Sequence, residues 1–262
     1  MAFVLVVAGV LGLAVGSFLN VVIHRVPRGE SLLRPASHCP QCTAPVRPWH
    51  NVPVLGWLAL RGRCADCAAP ISVRYPLVEL GTAALFVAVA ARFGASRPLL
   101  LPAWLYLAAI AVALALIDLD VLRLPNAIVL PAYAVAPLLF LPAVIVDRDW
   151  GTALRGLLAM AALWAFYFLL SIVYPGGMGF GDVKLAGVLG LYLGSLGWSS
   201  VAVGTLAAFV LGGAAGLALM ASGRAGRRTA LPFGPAMLAG ALLALFAAAP
   251  ITAWYTNLLI PA

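Results

Sequence analysis

The chain carries eight predominantly apolar stretches of roughly 20 residues, near 2–23, 76–94, 99–117, 127–146, 154–173, 183–199, 201–221 and 235–256. A helix needs about 20 apolar residues to cross the hydrocarbon of a bilayer. The pattern therefore predicts an all-α polytopic membrane protein with about eight transmembrane helices, in contact with membrane lipid. Composition agrees: 64% of the 262 residues are hydrophobic and 9% are charged, where a soluble domain carries roughly 25% charged residues. Mean hydropathy is +1.07.

Residues 1–23 contain no Lys or Arg, so the positive n-region of a secretory signal is missing and the segment is expected to stay attached as the first span. Its charge follows at His24, Arg25 and Arg28, which favours an outside N-terminus and a cytoplasmic loop 25–75. Eight spans then place twelve Lys and Arg residues inside and four outside (Arg92, Arg97, Arg148 and Arg155). Such a bias is what cytoplasmic loops require. Both termini are expected outside, and the net charge of +8 is explained by topology without a nucleic-acid partner. Three segments follow: a first transmembrane helix, 1–24; a cytoplasmic loop domain, 25–75; and a seven-helix membrane domain, 76–262.

All four cysteines fall in that loop, as Cys39-Pro-Gln-Cys42 and Cys64-Ala-Asp-Cys67, with 21 residues between the pairs. Two CxxC knuckles at this separation can offer four thiolates to a tetrahedral Zn²⁺. Two disulfides or four free thiols are the other readings, and a cytoplasmic location disfavours disulfides. Four thiolates leave no open coordination position, so such a zinc would be structural. No GxGxxG occurs in the loop.

Of the eight acidic residues, two sit at span ends at the same expected depth: Asp118 in Ile117-Asp118-Leu-Asp120, and Asp182 in Gly179-Phe-Gly181-Asp182-Val-Lys184. Ionisable groups at membrane depth are costly and commonly functional. Two carboxylates held close together share a proton, so the pair offers an acid and a base at once, which suits peptide hydrolysis. Gly179 and Gly181 would let backbone approach an extended substrate. The plainer readings make Asp118 and Asp120 ordinary loop-start residues and Asp182 a helix cap. Lys184 either neutralises Asp182 or anchors the helix end. Arg224, Arg227 and Arg228, ahead of Leu231-Pro-Phe-Gly-Pro235, either meet phosphates and lipid headgroups or serve the charge bias.

Taken together, five segments resemble the bacterial type IV prepilin peptidases, membrane aspartyl proteases with a GxGD motif. They are Gly16-Ser-Phe-Leu-Asn20-Val-Val-Ile-His-Arg25-Val-Pro27; the paired CxxC knuckles; Ser72-Val-Arg74-Tyr75-Pro76-Leu-Val-Glu79-Leu; Ile117-Asp118-Leu-Asp120 with Leu124-Pro125-Asn126; and Gly176-Gly-Met-Gly179-Phe-Gly181-Asp182-Val-Lys184. The resemblance covers nearly the whole chain. It implies that Asp182 is one catalytic acid and that Asp118, seven residues before Pro125, is the other, with Asp120 as the fallback. It further implies a prepilin or pseudopilin substrate cut at the cytoplasmic face of the inner membrane. Because the cysteine loop is intact, it also implies N-methylation of the new N-terminus from S-adenosylmethionine. Glu79 is a candidate for the substrate amine or methyl transfer; pairing with Arg74 or Arg25 is the plainer reading. A small ion-coupled transporter using Asp118 and Asp182 is the competing function, and oligomeric state is not addressed by these motifs.

Overall fold

The computed structural model describes residues 1–174, 177–224, 226 and 229–259. Gly176, Arg227, Arg228 and the last three positions of the 76–262 segment lie outside the described residues. Nine α-helices are present among the described residues, in chain order α1 (Ala2–Arg25), α2 (Leu55–Ala59), α3 (Arg74–Phe93), α4 (Leu101–Val121), α5 (Asn126–Asp147), α6 (Trp150–Val173), α7 (Phe180–Leu196), α8 (Trp198–Ala221) and α9 (Gly234–Leu259). Each of the eight expected spans coincides with one long helix. Seven of these, all but α7, are long and apolar enough to cross a membrane, so the chain is a multi-pass membrane protein.

The segment expected at 183–199 is the exception, forming a helix of only 17 residues. At 1.5 Å per residue that is about 25 Å, against roughly 30 Å of hydrocarbon. Its length is not set by lipid. From Asp182 to Gly194 almost every residue is buried, because α7 packs against α5, α6, α8 and α9. It ends at Gly197, whose φ of +136° only glycine adopts readily.

The chain forms two compact units, Met1–Ala113 and Leu114–Ala262. In the first, α1 packs on α3 through small residues: a Cβ added at Gly12 would lie 2.6 Å from the Ala83 Cα, and one at Gly16 would lie 2.7 Å from the Glu79 Cα. Lipid offers no hydrophobic drive between helices, so close backbone approach supplies the contact energy. The second unit repeats the device, with Gly190 and Gly194 of α7 against Gly156 and Ala159 of α6, and Gly240 of α9 against Gly204 and Ala208 of α8.

Candidate active site and metal centre

Asp118 lies in the last turn of α4 and is buried. Its Oδ2 accepts the backbone N–H of Gly234 at 3.1 Å, a buried bond across 116 residues of sequence. Gly234 opens α9 between Phe233 and Pro235. A Cβ there would stand 2.7 Å from that same Oδ2, so only glycine lets the main chain approach this closely.

Asp182 is the third residue of α7 and is also buried. Its Oδ2 reaches back to the N–H of Gly179 at 3.2 Å, while the Gly179 carbonyl accepts the Asp182 N–H at 3.0 Å. The capping reading is thus partly right, but Asp182 caps from the third helical position, with Gly179 as the cap residue. Both carboxylates belong to the unit Leu114–Ala262, Asp118 held by Gly234 and Asp182 by Gly179.

Leu124 joins these two supports. Its side chain lies 3.1 Å from a Cβ added at Gly181 and 3.2 Å from one added at Gly234. Proline at 125 holds the preceding residue extended, which presents Leu124 just before α5 begins. Next to it, Asn126 Oδ1 accepts the Lys184 ammonium at 2.9 Å, and that ammonium sits 4.9 Å from the centre of the Phe180 ring. Tyr133 donates its hydroxyl to the Lys184 carbonyl at 2.6 Å. Lys184 therefore ties the head of α7 to the head of α5. Asp120 is exposed, being two residues, or about 200° of helix, around from Asp118.

The first unit holds the other expected groups. Buried Glu79 accepts the Val54 N–H on Oε2 at 2.7 Å, whereas Arg25 gives its guanidinium to the carbonyls of Ser31 and Pro35 at 2.9 and 2.7 Å. Val54 has φ +62° and ψ −50°, a strained geometry for a β-branched residue.

The four cysteine sulfurs lie within 4.8 Å of one another, with Cys39 to Cys67 at 3.8 Å and Cys42 to Cys64 at 3.9 Å. A tetrahedral tetrathiolate with metal–sulfur bonds of about 2.3 Å has edges of about 3.8 Å. The knuckles repeat one turn: Cys39 N–H to the Ala44 carbonyl at 2.9 Å, and Cys64 N–H to the Ala69 carbonyl at 2.8 Å. Backbone N–H groups of Cys42 and Gln41 pull the Cys39 thiol down to about 6. At Cys42 the Ala44 N–H also pulls downward, but neighbouring sulfurs, led by Cys67, help push the thiol up to about 12. Four such groups cannot all ionise in this space without a cation, so the donor set fits a metal ion.

Gly234 and Leu124 as supports of the carboxylates were not read from the sequence. The available signal is a glycine between Phe233 and Pro235 at the mouth of an apolar span.

A helical bundle with two buried, main-chain-held aspartates and a four-cysteine loop defines a class: membrane proteins equipped for acid–base chemistry. Comparison narrows the class. The sequence model of the bacterial peptidase A24 N-terminal domain matches residues 10–93, and that of the type IV leader peptidase family matches residues 105–217. Relatives named prepilin leader peptidase/N-methyltransferase include one from Stutzerimonas stutzeri, 38% identical over 97% of this chain and 94% of the relative. Another, from Pseudomonas putida, is 40% identical over 89% and 87%. A third, from Aeromonas hydrophila, is 38% identical over 94% and 92%. No solved structure matches. The chain belongs to the type IV leader peptidase family.

Proposed function

We propose that this protein is a prepilin leader peptidase and N-methyltransferase in which Asp118 and Asp182 form the proteolytic pair. The observation that carries the pair is their shared support: each carboxylate is buried, each accepts one glycine N–H on Oδ2, and Leu124 touches both glycine-bearing segments. One carboxylate takes a proton from water as it attacks the scissile carbonyl; the other, protonated, hydrogen-bonds the carbonyl oxygen and then protonates the leaving amine. Asp120, exposed, is the weaker candidate. Lys184 positions α7 through Asn126 and Tyr133.

The basic leader of a prepilin or pseudopilin stays in the cytoplasm by the charge rule, which brings its junction with the apolar helix to the aspartates. This puts the active site and the cysteine loop on the cytoplasmic side and both ends of the chain outside. Cys39, Cys42, Cys64 and Cys67 hold a structural Zn²⁺, whose role is to fix the loop. S-adenosylmethionine is the methyl donor, with no residue assigned to it. Glu79, the candidate for the substrate amine or methyl transfer, also holds the loop to α3 by accepting the Val54 N–H. Nothing favours an ion-coupled transporter: the relatives bear peptidase names and both aspartates lie at helix ends.

The test is intact-mass spectrometry of a prepilin incubated with purified enzyme and S-adenosylmethionine. Wild type is expected to remove the leader and add one methyl group. Asp118→Asn and Asp182→Asn are each expected to lower cleavage by at least about a hundredfold. Cleavage by both variants at the wild-type rate would eliminate the aspartate pair.

A further inference from the structure

The cysteine loop does not hang free of the membrane helices. Glu79 is five residues inside α3, about 7–8 Å from the helix start at 1.5 Å per residue. It faces Gly16, nine residues before the end of α1. The 20 residues of α3 are about 30 Å long, the thickness of the hydrocarbon. By donating to Glu79, Val54 draws the first turn of α2 back alongside the helix pair, to the level where headgroups meet acyl chains.

What α2 presents there is apolar and unused by the loop's own packing. Gly56 is pressed against the His50 carbonyl. Trp57 is turned inward, its Nε1 donating to the Ile71 carbonyl at 3.0 Å and its ring packed under Gly62. Leu55 and Leu58, three apart and so on one side of the helix, are 64% and 56% exposed. Trp49, in the 3-10 turn Pro48–Asn51 that precedes α2, is 67% exposed. Past the helix come Arg61 and Arg63, both exposed, while the nearby carboxylate of Asp66 is taken by Arg47 at 3.2 Å. Apolar and indole side chains beside basic ones that have no ion pair among the described residues complement a bilayer interface with anionic lipid.

We propose that α2 and its preceding turn lie in the interfacial layer of the bilayer, with Trp49, Leu55 and Leu58 among the lipid chains and Arg61 and Arg63 at the phosphates. The strained turn at Val54 is the bend that lays α2 along the membrane. The zinc-binding knuckles on either side are thereby held at the surface. This inference concerns the loop alone and does not depend on which residues cleave substrate.

The experiment uses the full-length, zinc-loaded protein in phosphatidylcholine vesicles, with or without phosphatidylglycerol, and with or without acyl-chain bromination. The Trp49 signal is the fluorescence difference between wild type and Trp49→Phe. Brominated lipid is expected to quench most of it and aqueous acrylamide little. In a Leu55→Ser/Leu58→Ser variant the two quenchers should exchange effect, with zinc content unchanged, and Arg61→Gln/Arg63→Gln should abolish any added quenching in phosphatidylglycerol. Strong acrylamide quenching with no bromolipid effect in the wild type would overturn the proposal. So would shielding from acrylamide that arises only when prepilin is added, or only at high protein-to-lipid ratio, since a substrate helix or a second copy would then be the cover.

Discussion

At Gly234 the main chain comes close enough to Asp118 that one added carbon would sit 2.7 Å from the carboxylate oxygen. Gly234→Ala must therefore push the carboxylate away or lose its N–H. A hydrogen bond to a charged group contributes about 1.5–3 kcal/mol, so cleavage is expected to fall roughly tenfold to a hundredfold, measured as kcat/KM on a fluorogenic leader peptide, with the protein still inserted. A wild-type kcat/KM would show that this N–H does not position Asp118. Asp118 and Asp182 could be read from the sequence because a charge at the end of an apolar run is a local signal. Gly234 could not, since its partner is 116 residues away and its contribution is a backbone group that every non-proline residue has. The bond from the Val54 N–H to Glu79 was hidden for a similar reason: a residue list offers only charged side chains as partners.

Among elements, α7 shows most clearly how tertiary packing edits a hydropathy reading. Its apolar run predicted a span at 183–199, yet the helix is 180–196 and short, because its limits come from the Asp182–Gly179 cap and from Gly197. Packing in place of lipid makes it intolerant of size. A Cβ at Gly190 would run into the Ala159 carbonyl and stand 2.8 Å from the Met160 Cα. Gly190→Leu is expected to destabilise the protein by at least about 1–3 kcal/mol, as overpacking does, seen as a lower midpoint of thermal unfolding in detergent. An unchanged midpoint would mean that α6 and α7 are not so closely apposed. The cysteine loop, by contrast, was legible down to the gathering of its four sulfurs, since two CxxC turns of one kind dictate where they point.

For the molecule as a whole, the charge bias makes one sharp demand. With metal extracted by a chelator, a membrane-impermeant thiol reagent should label the four cysteines in inside-out membrane vesicles and leave right-side-out vesicles unlabelled; in zinc-loaded protein both should stay unlabelled. Labelling from the outer face would invert the topology and move Asp118 and Asp182 with it. The helix count and the cysteine loop followed from composition and spacing, because length and polarity are counted along the chain. The division into Met1–Ala113 and Leu114–Ala262 did not, because it cuts inside α4, where nothing in the apolar run marks a boundary. Both carboxylates of the proposed pair belong to the second unit and are gripped by glycine main chain, Gly179 and Gly234. That has a pharmacological meaning. A drug that spans the two carboxylates would rest on groups held by main-chain amides, which only an exchange to proline deletes, and exchanges at Gly234 are expected to impair the enzyme that carries them. Resistance would have to arise elsewhere, in uptake, efflux or expression, before it could arise in the grip itself.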